Sequence, residues 1–349
     1  MALDNYTGKY TGAGQTIVVI DTGISNNYTN NNVVYSYDFA DNDSDAINAG
    51  SNHGGQVANV AQQIASDVKI IHLKVFSDGS FGAYNNVIEK ALQWVVENVD
   101  TYGITAVNLS LGSKNVQTPT TWQGSDEYQT LDDKGVIVTV ASGNSKAYYD
   151  VDGVNYLSSS ESVLSVSAVN KSGELTTFAQ NHKDLTDIAA LGESVNIIDD
   201  KGGSHVISGT SFSAPIIAAV AAVIQEAAMT LLGHKITDEE FLDLIQKTGD
   251  KITGYALHSG GSNNAGSLVY TQLNEPDMNV ALELNVDDNS IATAQNIGAL
   301  VAGTKVLQSS VTKTTDDKDF YKFELTANSQ VDFSLSKLSA DVDLNLYDG

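Results

Sequence analysis

The chain has 349 residues, no cysteine and a formal charge of −25 from 18 basic and 43 acidic side chains, and every basic residue is lysine. Absence of cysteine excludes disulfides, thiolate metal sites and a cysteine nucleophile. An acidic chain without guanidinium groups repels phosphate backbones and anionic lipid, so no nucleic-acid partner and no membrane partner are expected. The N-terminal "MALDNYTGKYTGAG" has neither a basic start nor an apolar stretch, so no secretion signal is read there.

In chain order, "TIVVI" (Thr16 to Ile20) is a β-branched run that suits a strand buried on both faces. A helical pattern, "GGQVANVAQQIA", follows His53. "VKIIHLKVF" (Val68 to Phe76) reads as the next strand. After it come a glycine turn, "DGSFG", and a helix whose Ile88, Leu92, Val95 and Val99 share one face. "AVNLSL" (Ala106 to Leu111), "GVIVTVA" (Gly135 to Ala141) and "SVLSVSAV" (Ser162 to Val169) are further strands. "VISGTSFSAP" then leads into an alanine-rich apolar run, Ala214 to Leu232, which Gln225 and Glu226 interrupt and which reads as a core helix. This alternation predicts an α/β fold, a doubly wound, mainly parallel sheet with helices on both faces, over residues 1–273. The texture changes after Leu273, so 274–287 is read as a linker. Alternating segments in 288–349, such as "VDFSLSKL", predict a small antiparallel β-sandwich-like domain.

Ligands of an open parallel sheet sit beyond the carboxyl ends of its strands, which directs attention to a few polar residues. Asp21 follows "TIVVI", Ser110 sits near the end of "AVNLSL", Asn144 follows "GVIVTVASG", and His53 and Ser211 each stand immediately before a helix. An aspartate, a histidine, a serine and an asparagine are what an acyl-transfer site requires. Taken alone, Thr210, Ser211 and Ser213 have a plainer reading as helix caps, because Ser and Thr accept the orphan N–H groups of a first turn. Capping leaves the other segments unexplained.

The ordered blocks "VVIDTGI", "NHGGQVAN", "AVNLSLGS", "VASGN" and "SGTSFSAP" resemble the signature of the subtilisin-like serine proteases, over roughly residues 12 to 272. That resemblance implies a serine endopeptidase acting on protein or peptide, with Ser211 as nucleophile, His53 as base, Asp21 orienting the imidazole, and Asn144 with the Ser211 N–H holding the oxyanion. These roles follow the family template. The resemblance further implies a peptide clasped as an added strand between Ser110, Leu111 and Gly112 on one side and Gly79, Ser80 and Phe81 on the other. Asn155 and Tyr156 fall near the expected floor of the pocket for the residue before the cut.

The chain departs from the family pattern at Gln56 and Asn59 in the histidine block and at Leu191, where relatives carry proline. No cofactor is expected for catalysis, and a structural calcium is left open with its ligands unknown. The acidic stretch from Asp41 imitates a calcium loop, yet Ala46 replaces the required glycine and Asn52 stands where a bidentate glutamate belongs. His72, His182, His205, His234 and His258 lack ligand spacing. The last segment resembles the bacterial pre-peptidase C-terminal domain and stops short of its final strands. A secreted bacterial monomer is expected, with a propeptide or inhibitor left open as a partner. The rivals are a transpeptidase or cyclase on the same fold and a silent binding scaffold.

Overall fold

The continuous hydrophobicity of "TIVVI" is explained by two separate cores, one on each face of the sheet. In β1 (Thr16–Asp21), Ile17 and Val19 enter one core while Val18 and Ile20 enter the other, as the two-residue period of a strand dictates. The computed structural model describes residues 10–25, 32–48, 51–198, 203–231, 233–248, 250–253, 269–272, 295–300 and 321–325. They fall in two compact units, 1–286 and 287–349.

In the first unit β2 (Val33–Asp38), β3 (Lys69–Lys74), β4 (Ile104–Leu109), β5 (Ile137–Ala141), β6 (Leu164–Val169) and β7 (Ile188–Leu191) join β1 in one sheet. With β10 (Asp250–Thr253) and β11 (Val269–Gln272) its order is β10-β11-β7-β6-β5-β4-β1-β3-β2. Every neighbouring pair from β2 to β11 is parallel, and only β10 runs against its partner. The chain reverses its direction of winding between β1 and β4, which opens a crevice at their carboxyl ends. β8 (Val195–Ile198) and β9 (Ser204–Ile207) form a separate antiparallel pair.

Helices α1 (His53–Ile64) and α4 (Thr210–Leu231) contribute to the core that takes Ile17 and Val19, and α2 (Asn85–Tyr102) and α3 (Ser125–Asp133) to the opposite one. Ile88, Leu92, Val95 and Val99 are all buried, as their spacing requires. A further helix, α5 (Asp238–Thr248), adds Phe241, Leu244 and Ile245 to the α1/α4 side. Among the described residues α4 is the one helix long and apolar enough to cross a membrane, but 89% of that stretch is buried. It is the central core helix. Near its far end Glu226 Oε2 accepts the backbone N–H groups of Thr11, Gly12 and Ala13 at 2.8, 2.7 and 3.0 Å, which ties the start of the described chain to it.

In the second unit β12 (Gln295–Leu300) and β13 (Tyr321–Leu325) pair in parallel, where an antiparallel arrangement was expected. Alternation of side chains carries no information on strand direction, and the intervening 301–320 is long enough for a parallel crossover. The expected linker and the strands at "VDFSLSKL" and "VDLNLYD" lie outside the described residues.

His72 on β3 is fully buried, and burial, partly offset by the charge of Asp21, pulls its pKa from 6.5 to about 4. The unfolded chain therefore takes up a proton as pH falls through 6.5, while the folded chain refuses it until about 4. This histidine's share of stability is present above pH 6.5 and is lost on the way down to 4, by on the order of 3 kcal/mol. Asp187 acts in the opposite sense: burial raises its pKa to about 6, so it adds stability as pH falls through that value. Chemical denaturation of His72→Leu beside the unsubstituted protein separates the two. The difference in unfolding free energy should move in the variant's favour between pH 6.5 and 4; a difference independent of pH contradicts the assignment.

Candidate active site

Asp21, the last residue of β1, is buried on the α1/α4 side of the sheet, because it continues the alternation of Ile17 and Val19. Its Oδ1 accepts the Thr22 N–H at 2.6 Å and His53 Nδ1–H at 2.8 Å. His53 is the first residue of α1, inside the helix rather than before it. The close approach depends on Gly54, whose missing Cβ would lie 2.3 Å from the Gly23 carbonyl oxygen. Gly54 N–H also donates to Thr22 Oγ1 at 3.1 Å. The His53 side chain is 30% exposed. Burial lowers its pKa, but the charge of Asp21 and the hydrogen bond to it outweigh that and leave the pKa above 6.5.

α4 starts at Thr210, so Ser211 stands in its first turn, where backbone N–H groups have no intrahelical acceptor. Ser211 Oγ donates to the Ser110 carbonyl at 3.2 Å, and Ser110 Oγ donates back to the Ser211 carbonyl at 2.7 Å. The ring of Phe212, next in sequence, lies 5.5 Å from the His53 ring between centroids. The histidine and the serine thus share a neighbourhood, with the hydroxyl turned to Ser110. Asn144 is oriented by Thr210, whose N–H and Oγ1–H donate to Asn144 Oδ1 at 2.8 and 3.0 Å. Those two donors fix which end of the amide is oxygen. The Nδ2 end then lies toward Gly209, 3.3 Å from where a Cβ there would stand.

A cleft of about 480 Å³ is lined by Asp21, His53, Ser110, Leu111, Gly112, Gly79, Ser80, Phe81, Tyr156 and others. All six residues expected to hold an extended substrate therefore line one space beside the aspartate and histidine. Ser211 and Asn144 are outside that lining, and Ser211 reaches it through Ser110. Asn155 backs the Gly112 wall: a Cβ on Gly112 would fall 2.4 Å from the Asn155 amide. Its Oδ1 accepts the Leu157 N–H at 2.8 Å and its Nδ2 donates to the Ala141 carbonyl. Sequence reasoning missed Thr210 as the orienting partner of Asn144 and Thr22 as the link between β1 and α1. Both hydroxyls adjoin a named residue, which was the available signal.

The acidic stretch is organised by its own backbone. Asp43 Oδ1 accepts the Asp45 N–H, Asp45 Oδ1 accepts the Ile47 N–H, and Asp38 engages a lysine. Among the described residues no group of three or more histidine or carboxylate side chains is arranged to hold a metal.

A family model described as the Subtilase family matches residues 12–277. Subtilisin E of Bacillus subtilis (strain 168) is 27% identical over 242 residues, 66% of this chain and 60% of that protein. Alkaline serine exoprotease A of Vibrio alginolyticus is 30% identical over 227 residues, 63% of this chain and 40% of that protein. The chain thus spans less than two thirds of the length of these relatives. A solved structure described as a cold adapted subtilisin-like serine proteinase is similar at 26% identity with a TM-score of 0.57, over 77% of this chain and 93% of that one.

Proposed function

The chain belongs to the subtilase family, and on that premise we propose that it is a serine endopeptidase working through Asp21, His53 and Ser211. The observation that carries the reading is the 2.8 Å hydrogen bond from His53 Nδ1 to the buried Asp21 carboxylate, at the cleft and beside the helix start that bears Ser211. With Nδ1 carrying the proton, Nε2 is left as the base. Turning Ser211 Oγ from the Ser110 carbonyl toward Nε2 is a rotation about one side-chain bond, and apo sites commonly tighten only when substrate binds. The freed Ser110 carbonyl is then an acceptor for an extended peptide.

Ser211 Oγ attacks the scissile carbonyl carbon as His53 Nε2 takes its proton. The carbon–nitrogen bond breaks as the imidazolium returns that proton to the leaving amine. Water repeats the sequence on the acyl-enzyme, with His53 again as base. Asn144 Nδ2 and the Ser211 N–H, at the positive end of α4, stabilise the oxyanion; a donor of this kind is worth about 100- to 1,000-fold in kcat. Protein or peptide is the substrate, no cofactor takes part, and the setting is extracellular and bacterial.

A fluorophosphonate probe followed by peptide mass spectrometry tests the assignment directly. The adduct is expected on Ser211 and should disappear in His53→Ala. A folded protein that remains unlabelled would instead support a silent scaffold.

A further inference from the structure

We propose that Lys74 is a positioning residue: its buried ammonium serves as an internal cation that ties the 78–82 wall of the cleft, through Asp78, to β3, the strand paired with the one that carries Asp21. The proposal rests on the peptidase reading above for the identity of what the wall holds.

Lys74 ends β3 directly opposite Asp21 in the parallel register. Its backbone is gripped from both sides, for the Val75 N–H donates to the Asp21 carbonyl at 2.9 Å and the Phe39 N–H to the Lys74 carbonyl at 2.8 Å. The side chain is 1% exposed, and a Cβ on Gly23 would lie 2.9 Å from its Cδ, so the stem runs under the turn that follows Asp21. At its tip Nζ donates to Asp38 Oδ2 and lies 3.1 Å from Asp78 Oδ1 and 3.6 Å from Asp41 Oδ2. Asp38 is itself buried, and its other oxygen accepts the Ala40 and Asp41 N–H groups at 2.7 and 3.0 Å. One ammonium thus organises three carboxylates, from the end of β2, the loop after it and the loop after β3. Burial lowers the pKa of Lys74, but the hydrogen bonds and charges of Asp38 and Asp78 outweigh it and hold the group protonated.

Asp78 opens the segment whose Gly79, Ser80, Phe81 and Gly82 line the cleft. That segment has little else to hold it. A Cβ added at Gly79 or Gly82 would meet nothing within 4 Å, Phe81 is fully exposed, and among the described residues Ser80 bonds within the loop, to Ser77 and Gly82. Among the described residues Asp78–Lys74 is the one ion pair this wall makes. The wall's orientation is therefore inherited from β3, and through it from Asp21. Where other acidic loops recruit a divalent ion, this pair of loops closes on a tethered ammonium.

Lys74→Met would strand the buried Asp38 charge and is expected to fold poorly. Asp78→Asn cuts only the 62% exposed arm and leaves the buried pair intact. With an uncharged peptide substrate, Asp78→Asn should raise KM by up to about fivefold with kcat within about twofold, the scale of an exposed ion pair. Raising salt should raise the KM of the unsubstituted protein toward that of the variant and leave the variant's KM unmoved. Hydrogen exchange should quicken at residues 79–82 in the variant and stay unchanged elsewhere. Unchanged exchange overturns the tie; faster exchange with unchanged KM overturns its role in substrate binding. A protein that neither hydrolyses peptide nor takes up the fluorophosphonate defeats the peptidase reading instead, and exchange at 79–82 still decides the positioning.

Discussion

Ser211→Ala is expected to lower kcat by on the order of 10⁶-fold, the magnitude of the same loss in subtilisin, while leaving KM for a peptide close to its unsubstituted value. The size follows from the proposed mechanism, in which no acyl-enzyme can form without Oγ. What remains is water attack on a carbonyl still held by the cleft and by Asn144. The split between kcat and KM follows because Oγ acts only as the bond to carbon forms, whereas the cleft walls hold the peptide before and during that step. Loss of its single 3.2 Å bond to Ser110 removes only about 1 kcal/mol of stability, so the variant should fold. Steady-state kinetics with a circular dichroism melt checks both halves. Retention of a substantial share of turnover would move the nucleophile elsewhere, with Ser213 excluded because it is buried and its Oγ donates to the Ala190 carbonyl at 3.1 Å.

Asp21→Asn should cost on the order of 10⁴-fold in kcat. An amide can offer N–H to His53 Nδ1, which favours the tautomer whose Nε2 already carries a proton and cannot act as base. The pH profile supplies a second sign. Burial pulls the His53 pKa down, and the Asp21 charge and hydrogen bond together push it above 6.5. The unsubstituted protein should therefore lose activity as pH falls through a midpoint above 6.5. In the variant the two upward contributions are gone and burial remains, so the acid limb of its residual activity should move to lower pH. An acid limb unmoved by the substitution would separate Asp21 from the titrating imidazole.

The parts of this fold that were legible beforehand are those where one physical cause dominates. β1, β3, β4, β5 and β6 are buried on both faces, so their hydrophobic runs are nearly unbroken, and α2 displays its apolar stripe at helical spacing. β2 escaped notice because it is an edge strand, half exposed, with tyrosines and a serine in place of an aliphatic run. The short strands β7, β8 and β9 carry too few residues for a period to register. Within the candidate site, Asp21, His53, Ser110, Asn144 and Ser211 stood out because they lie at or just beyond strand ends or at helix starts. Thr210 and Lys74 were not. The first looked like a cap, and the second is a lysine in a strand, which composition alone assigns to solvent until three carboxylates converge on it.

The helix that carries Ser211, α4, is 89% buried along its apolar stretch, and Glu226 anchors it near the opposite end. Under the proposed peptidase reading this bears on self-digestion. Surface fraying, which under that reading would offer a neighbouring copy something to cleave, leaves Ser211 in register. Heat should accordingly abolish activity only when the whole unit gives way, so that inactivation and global melting trace the same curve.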